Sequence, residues 1–124
     1  MLLNLSDQSS ETLQQQIVRQ LRSRILTGEL AAGDALPSIR GLAKQLRVSV
    51  ITVDRAYDRL SQEGLIGSRR GKGYFVTPVS AKKKTAIARQ RLDDHLDKLV
   101  EDALAEGLTP DDIRRLLETA LDRR

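Results

Sequence analysis

The stretch that decides the fold runs from Leu36 to Val76, LPSIRGLAKQLRVSVITVDRAYDRLSQEGLIGSRRGKGYFV. It contains two short runs in which apolar residues recur every three or four positions, and this spacing predicts two helices with one buried face each. Ser38 and Ser49 stand directly before these runs, where a serine hydroxyl can cap the free amides of a first turn. The dipeptide Arg47–Val48 is the predicted turn between them, and Gly64 is the predicted stop. Two capped helices this close together indicate a helix-turn-helix.

Two predicted strands, Leu65–Ser68 and Tyr74–Val76, follow the second helix. The five residues between them are all basic or glycine. Glycine permits a positive φ and lets backbone amides approach a phosphate, while the cations attract the DNA backbone whatever its sequence. A hairpin in this place is a wing, so the stretch predicts a winged helix-turn-helix.

In a helix-turn-helix the second helix enters the major groove of DNA, with its N-terminal residues nearest the base edges. The start of that helix and the wing tip therefore supply candidate DNA-binding residues: Ser49, Val50, Ile51, Thr52, Arg55, Arg69, Arg70, Gly71, Lys72 and Gly73. An ion pair of Arg55 with Asp54 or Asp58 is the structural alternative for that residue. Tyr57, Leu60 and Phe75 are assigned to core packing.

Upstream, the run from Thr12 to Thr27 predicts a helix that forms the floor of the domain, because its leucines and isoleucines repeat every four residues and Gly28 ends it. Residues 1–11 are polar apart from Leu2, Leu3 and Leu5. This arm either packs on the domain, packs on a partner subunit, or is a frayed terminus.

Downstream, residues 77–84 contain Pro78 and the lysines Lys82, Lys83 and Lys84, which predicts a linker that is solvated or touches the DNA backbone. A helix over 81–106 and a second one capped by Thr109 follow. Their narrow apolar stripes cannot be buried by so short a hairpin alone, so we expect a symmetric dimer, with folding back onto the winged helix as the alternative. The candidate dimerisation residues are Leu92, Leu96, Leu99, Val100, Ala103, Ile113, Leu116, Leu117 and Leu121.

The predicted architecture is therefore mostly α with a small β-hairpin. Residues 1–79 form a winged helix-turn-helix DNA-binding domain, and residues 80–124 form a C-terminal helical hairpin for dimerisation. Charge follows the same division: residues 1–79 hold 11 Lys and Arg against 7 Asp and Glu, whereas residues 80–124 hold 10 of each. The basic excess of the chain thus lies in the half expected to bind nucleic acid.

The run from Leu13 to Val76 resembles the winged helix-turn-helix of the GntR family of bacterial transcription regulators. The resemblance is carried by four blocks: QQQIVRQLRSRILTGEL, LPSIRGLAKQL, VSVITVDRAYDRLSQEGLI and RRGKGYFV. The wording VITVDRAY and the short C-terminal part are most similar to the YtrA-type subfamily, which has a small helical dimerisation segment instead of a large ligand-binding domain. The resemblance implies that Arg40, near the start of the first motif helix, contacts a phosphate or a guanine of the DNA, with a solvated surface arginine as the alternative. Ser38, which precedes this helix, joins the candidate set.

Three positions depart from the family pattern. Many relatives have arginine where this chain has Val50, so a guanine contact cannot be carried over, and Val50 and Ile51 are left to contact thymine methyl groups. Asp54 replaces a basic residue of many relatives. Gly41 replaces the glutamate that completes a capping box with Ser38, so this helix should start less firmly.

Composition excludes several classes of function. The chain of 124 residues has no cysteine, one histidine and no glycine-rich phosphate motif, so little is available for an enzyme, and we expect no cofactor. We expect no metal site, and the alternative is a site formed by His95 with Asp94 or Asp97. No apolar run approaches the roughly 20 residues that span a bilayer, so a cytoplasmic location without membrane contact is expected.

The leading interpretation is a homodimeric, sequence-specific regulator of transcription, a repressor that binds an inverted-repeat operator in double-stranded DNA. A non-specific architectural nucleic-acid-binding protein is the alternative, and the ratio of specific to random-DNA affinity discriminates the two. The operator, the regulated genes and any small effector are not defined by the residues.

Overall fold

The computed structural model describes residues 3–124, and within that range it has five helices and one two-stranded antiparallel sheet. In chain order the elements are α1 (Leu13–Leu26), α2 (Ile39–Leu46), α3 (Val50–Gln62), β1 (Ile66–Arg69), β2 (Gly73–Val76), α4 (Ala81–Ala105) and α5 (Pro110–Asp122). The chain divides into two units, one ending at Lys84 and the other beginning at Thr85. The predicted winged helix-turn-helix, hairpin and C-terminal helices are all present.

The core of the first unit lies between α1, α2 and α3. The stripe predicted for α1 is buried, with Ile17, Leu21 and Ile25 inaccessible to solvent, and α3 contributes Tyr57 and other fully buried side chains to the same core. Helix α3 packs against both α1 and α2. It is therefore held by the floor helix on one side and by the first motif helix on the other.

The helix ends follow their sequence signals. Ser38 and Ser49 cap α2 and α3, each with a hydroxyl that accepts the amide three residues on. The tight turn after α2 is made by Arg47, which adopts a left-handed conformation with φ 57°. This conformation costs a non-glycine residue about 1–2 kcal/mol. Gly64, with φ 76°, follows the end of α3 without that cost.

The wing hairpin pairs Ile66 with Val76 and Arg69 with Gly73 in antiparallel register. The segment before α2 also pairs with β2. The sequence predicted only a loop at Gly33–Asp34 and not this pairing. The Leu36 amide donates to the Tyr74 carbonyl at 3.0 Å, and an isolated bridge joins Ala35 to Phe75. The base of the wing is thus fixed to the chain that leads into α2.

The N-terminal arm packs on its own domain from Leu3 onward. Leu3 is buried, and the Gln16 side chain both accepts from the Ser6 amide at 2.8 Å and donates to the Ser6 carbonyl at 2.9 Å. Gln20 holds Asn4 in the same two-way manner. Of the three alternatives for the arm, the structure therefore supports packing on its own domain from Leu3 onward. Leu2 lies outside the described residues.

The second unit contains most of α4 and all of α5, and none of the residues of these two helices is buried. Thr109 and Asp112 form a capping box at the start of α5, with proline in its first turn. Helices α4 and α5 meet at the turn around Gly107 and pack little along their lengths. None of the helices in the described range combines the length and apolarity required to cross a bilayer.

Candidate nucleic-acid interface

The first turn of α3 is organised by its cap. The Thr52 amide donates to Ser49 Oγ at 3.1 Å, and the hydroxyl oxygens of the same two residues lie 2.8 Å apart. The two hydroxyls are therefore engaged with each other and with the helix end. Val50 and Ile51, between them, are exposed to solvent.

The outward face of α3 consists of exposed residues that recur at helical spacing. Ile51, Arg55, Asp58 and Gln62 recur at helical spacing and are all exposed, on the side opposite the buried face that carries Tyr57. Arg55 makes no ion pair with Asp54 or Asp58, so the structural alternative for this arginine is not realised. The Arg55 guanidinium is available to a ligand on this face.

The wing tip presents three cations. Arg69, Arg70 and Lys72 are exposed, and the Lys72 amide closes the turn by donating to the Arg69 carbonyl at 2.9 Å. Gly71 and Gly73 have φ values of 76° and 74°, which side-chain-bearing residues rarely adopt. The expectation that glycine supplies a positive φ in this turn is confirmed at both positions.

Phe75 supports one of these cations. The Arg69 guanidinium carbon lies 4.8 Å from the centroid of the Phe75 ring, within the range of a cation–π contact. Phe75 is half-buried and therefore belongs only partly to the core, whereas Tyr57 and Leu60 are fully buried as expected.

Tyr57 connects the three parts of the motif. Its hydroxyl donates to the Pro37 carbonyl at 2.7 Å, next to the Ser38 cap of α2, and its ring makes an edge contact with Tyr74 of the wing at 4.9 Å between centroids. Burial raises the pKa of Tyr57, so the hydroxyl remains a donor. The exposed Arg40 in the first turn of α2 is therefore held in a fixed relation to α3 and the wing.

Cations of the first unit separate into two groups by their partners. Arg19 and Arg22 of α1, and Arg59 at the far end of α3, form ion pairs with acidic side chains. Across residues 3–84, the structure gives no ion pair to the cations on α2, on the turn after it, on the first half of α3, at the wing tip or at the start of α4: Arg40, Lys44, Arg47, Arg55, Arg69, Arg70, Lys72, Lys82, Lys83 and Lys84. Seven of these ten unpaired cations lie on the helix-turn-helix and wing, where Asp54 and Asp58 are the exposed acids of α3.

The ion pair between Arg22 and Glu63 was missed by sequence reasoning. Two hydrogen bonds of 2.7 Å join their side chains, which are 8% and 18% exposed, and Arg59 binds the same carboxylate at 2.9 Å. Partial burial raises the pKa of Glu63, but the hydrogen bonds and charges of the two arginines outweigh it and lower the pKa below its usual range. The pair fixes the C-terminal end of α3 to the floor helix.

Comparison with known proteins agrees with this geometry. Residues 13–76 match the family model described as "Bacterial regulatory proteins, gntR family". The chain belongs to the GntR family. It is 32% identical over 110 residues to the HTH-type transcriptional repressor YtrA of Bacillus subtilis, an alignment that covers 86% of this chain and 82% of that protein. The YtrA-type resemblance is thereby confirmed.

Solved structures of GntR regulators share the fold. A GntR family transcriptional regulator from Listeria monocytogenes superposes with a TM-score of 0.73 at 26% identity, covering 93% of this chain and 98% of that chain. The structure of AraR(DBD) in complex with operator ORE1 superposes with a TM-score of 0.52 at 26% identity, covering 62% of this chain and 94% of that one. The chain is therefore a transcriptional regulator with a GntR-type DNA-binding domain.

The relatives are regulators of transcription and not enzymes, which agrees with the prediction from composition. His95 is exposed on α4, and its Nδ1 lies 2.6 Å from the Arg91 carbonyl. Within the described part of the chain, no three His, Cys, Asp or Glu side chains are grouped to hold a metal ion.

Proposed function

We propose that this GntR regulator acts as a homodimeric repressor that binds an inverted-repeat operator through α3 and the basic wing. The observation that carries the proposal is the location of the unpaired cations, which cover α2, the first half of α3 and the wing tip, while the cations elsewhere on α1 and α3 are neutralised by acids. A surface with this excess of unpaired cations suits the phosphates of a DNA duplex.

Each part of the surface has its own proposed task. The first turn of α3, from Ser49 to Thr52, enters the major groove with Arg55 behind it. Ser38 and Arg40 at the start of α2, and the wing from Arg69 to Gly73, contact the sugar-phosphate backbone and set the orientation of α3. The glycine backbone of the wing allows close approach, and Tyr57 keeps the three parts in register.

Dimerisation is proposed to use the C-terminal unit. Leu92 and Leu99 on α4, and Leu116 and Leu121 on α5, are each about 60% exposed in the single chain. So many exposed leucines on two amphipathic helices favour burial against a second copy, because a C2 pair covers the same surface on both subunits. The dimerisation segment is proposed to begin near residue 80, close to the division at Lys84.

A symmetric dimer places its two α3 helices on one face of the duplex, so the half-sites should lie about 10 base pairs apart or a multiple of that. Repression is proposed because the similar protein from Bacillus subtilis is named a repressor. The cytoplasm is the proposed location and no cofactor is required. The dimer interface is the proposed binding place of a small effector, if the regulator has one.

Selection of random double-stranded DNA by the purified full chain at physiological salt tests the proposal. We expect enrichment of a two-fold symmetric sequence. Enrichment of a single, asymmetric half-site would contradict the dimeric mode of binding. If no sequence is enriched, the proposal of a sequence-specific regulator is contradicted, and the alternative of a non-specific architectural DNA-binding protein is favoured.

A further inference from the structure

Two apolar side chains stand apart from the rest of the first unit. Val50 is 40% and Ile51 is 61% exposed, whereas the later apolar residues of α3 are fully buried. Between residues 3 and 84 of the described chain, these two are the most exposed large hydrophobic side chains. They are adjacent, and both lie in the first turn of α3.

The surroundings of this pair are polar and charged, with the exposed Asp54 one helical turn after Val50 and the exposed Arg55 one turn after Ile51. Ser49 and Thr52 on either side use their hydroxyls for the cap and for each other. Arg55 follows Ile51 by one helical turn on the same face and carries no ion pair. An apolar protein surface would have to bury these groups, whereas a polyanion with a small apolar group inside its groove matches both features.

We infer that Ile51, assisted by Val50, recognises the 5-methyl group of thymine in each half-site. In the major groove the thymine methyl is the apolar group that base edges present, and the other groups are hydrogen-bond donors and acceptors. Valine and isoleucine side chains offer neither, so they cannot read the remaining bases by hydrogen bonding. The inference rests on the proposed function, in which the first turn of α3 enters that groove.

Deoxyuridine is the probe for this contact, because it pairs like thymidine and lacks only the methyl group. Duplexes of the selected operator are made with one thymine at a time replaced by deoxyuridine, and the Kd of the full chain is measured for each. Loss of one buried methyl contact should weaken binding about fourfold. Replacement at the equivalent position of both half-sites should weaken it about fifteenfold.

Two variants assign the effect to the side chain. In Ile51→Ala the Kd ratio between the deoxyuridine and thymidine duplexes should fall to about one at the position that Ile51 contacts. Lys72→Ala is the matched control: it should weaken binding to both duplexes and leave their ratio unchanged. Because Ile51 is exposed, its truncation should not lower the melting temperature, which is measured for both variants.

The inference is overturned if no thymine of the operator shows a methyl effect. It is also overturned if the effect persists undiminished in Ile51→Ala, because another residue or the shape of the DNA would then be responsible. Both outcomes leave specific operator binding intact. Failure to enrich any operator would instead remove the proposed function, and the inference with it.

Discussion

The ion pair that ties α3 to α1 yields a quantitative prediction. Glu63→Gln keeps the shape of the side chain but removes the charge that Arg22 and Arg59 share. Arg22 is only 8% exposed, so the variant leaves a nearly buried guanidinium with weaker neutral hydrogen bonds. A hydrogen bond to a charged group contributes about 1.5–3 kcal/mol. We therefore expect the free energy of unfolding to fall by about 2 kcal/mol.

Glu11→Gln is the matched control. Glu11 pairs with Arg19 at 2.9 Å, but the two side chains are 36% and 55% exposed. An exposed pair contributes about 0–1 kcal/mol, so this variant should unfold almost as the parent does. Urea titration at one protein concentration measures both, because the proposed dimerisation would make the apparent stability depend on concentration. Equal losses for the two variants would refute the argument from burial.

The same pair predicts a pH dependence. The pKa of Glu63 is lowered in the folded chain, so its charge stabilises the fold above the unfolded value of about 4.3. That contribution is lost as the pH falls through the lower, folded pKa. Between pH 7 and pH 3 the stability gap between parent and Glu63→Gln should therefore narrow. A gap that stays constant or widens on acidification would show that the carboxylate charge is not responsible.

Three further changes have defined outcomes. Gly41→Glu should raise the melting temperature above those of the parent and of Gly41→Ala, because the glutamate completes a capping box with Ser38. The Ser38 hydroxyl lies 2.8 Å from the Cβ that either substitution adds, so this hydroxyl must shift. A melting temperature below the parent's would show that the hydroxyl cannot shift without losing the cap. Leu99→Asp should convert the dimer to a monomer in sedimentation equilibrium while circular dichroism still shows a folded winged helix, and a persistent dimer would place the interface elsewhere. Replacing both Arg70 and Lys72 by alanine should weaken binding to operator and random DNA alike and lower the salt slope by about 1 per lost phosphate contact; an unchanged slope would exclude the wing from phosphate binding.

The elements that sequence predicts well are those with local signals. Ser38 and Ser49 mark helix starts within four residues of the amides they cap, and Gly64 marks an end, so α2 and α3 were placed nearly to the residue. The exposed cations of the wing follow equally directly, because a turn of glycine and arginine has no role in a core. Their contact with DNA stays a prediction.

What the sequence did not reveal depends on residues far apart in the chain. Arg22 and Glu63 are separated by 41 residues, and nothing near either one indicates the other. The pairing of Leu36 with Tyr74 is equally non-local, and the residues around Gly33 carry turn signals instead of a strand pattern. Gln16 is a polar residue on an apolar stripe, and its burial is explained only by the arm that it holds.

The most direct test of the central claim is the ratio of Kd values for the selected operator and for a scrambled duplex of equal length, measured with the full chain across a salt series. A sequence-specific homodimeric regulator predicts a ratio above about a thousand at physiological salt, with two protomers bound per duplex. Equal affinity for both duplexes, set by salt alone, would contradict it.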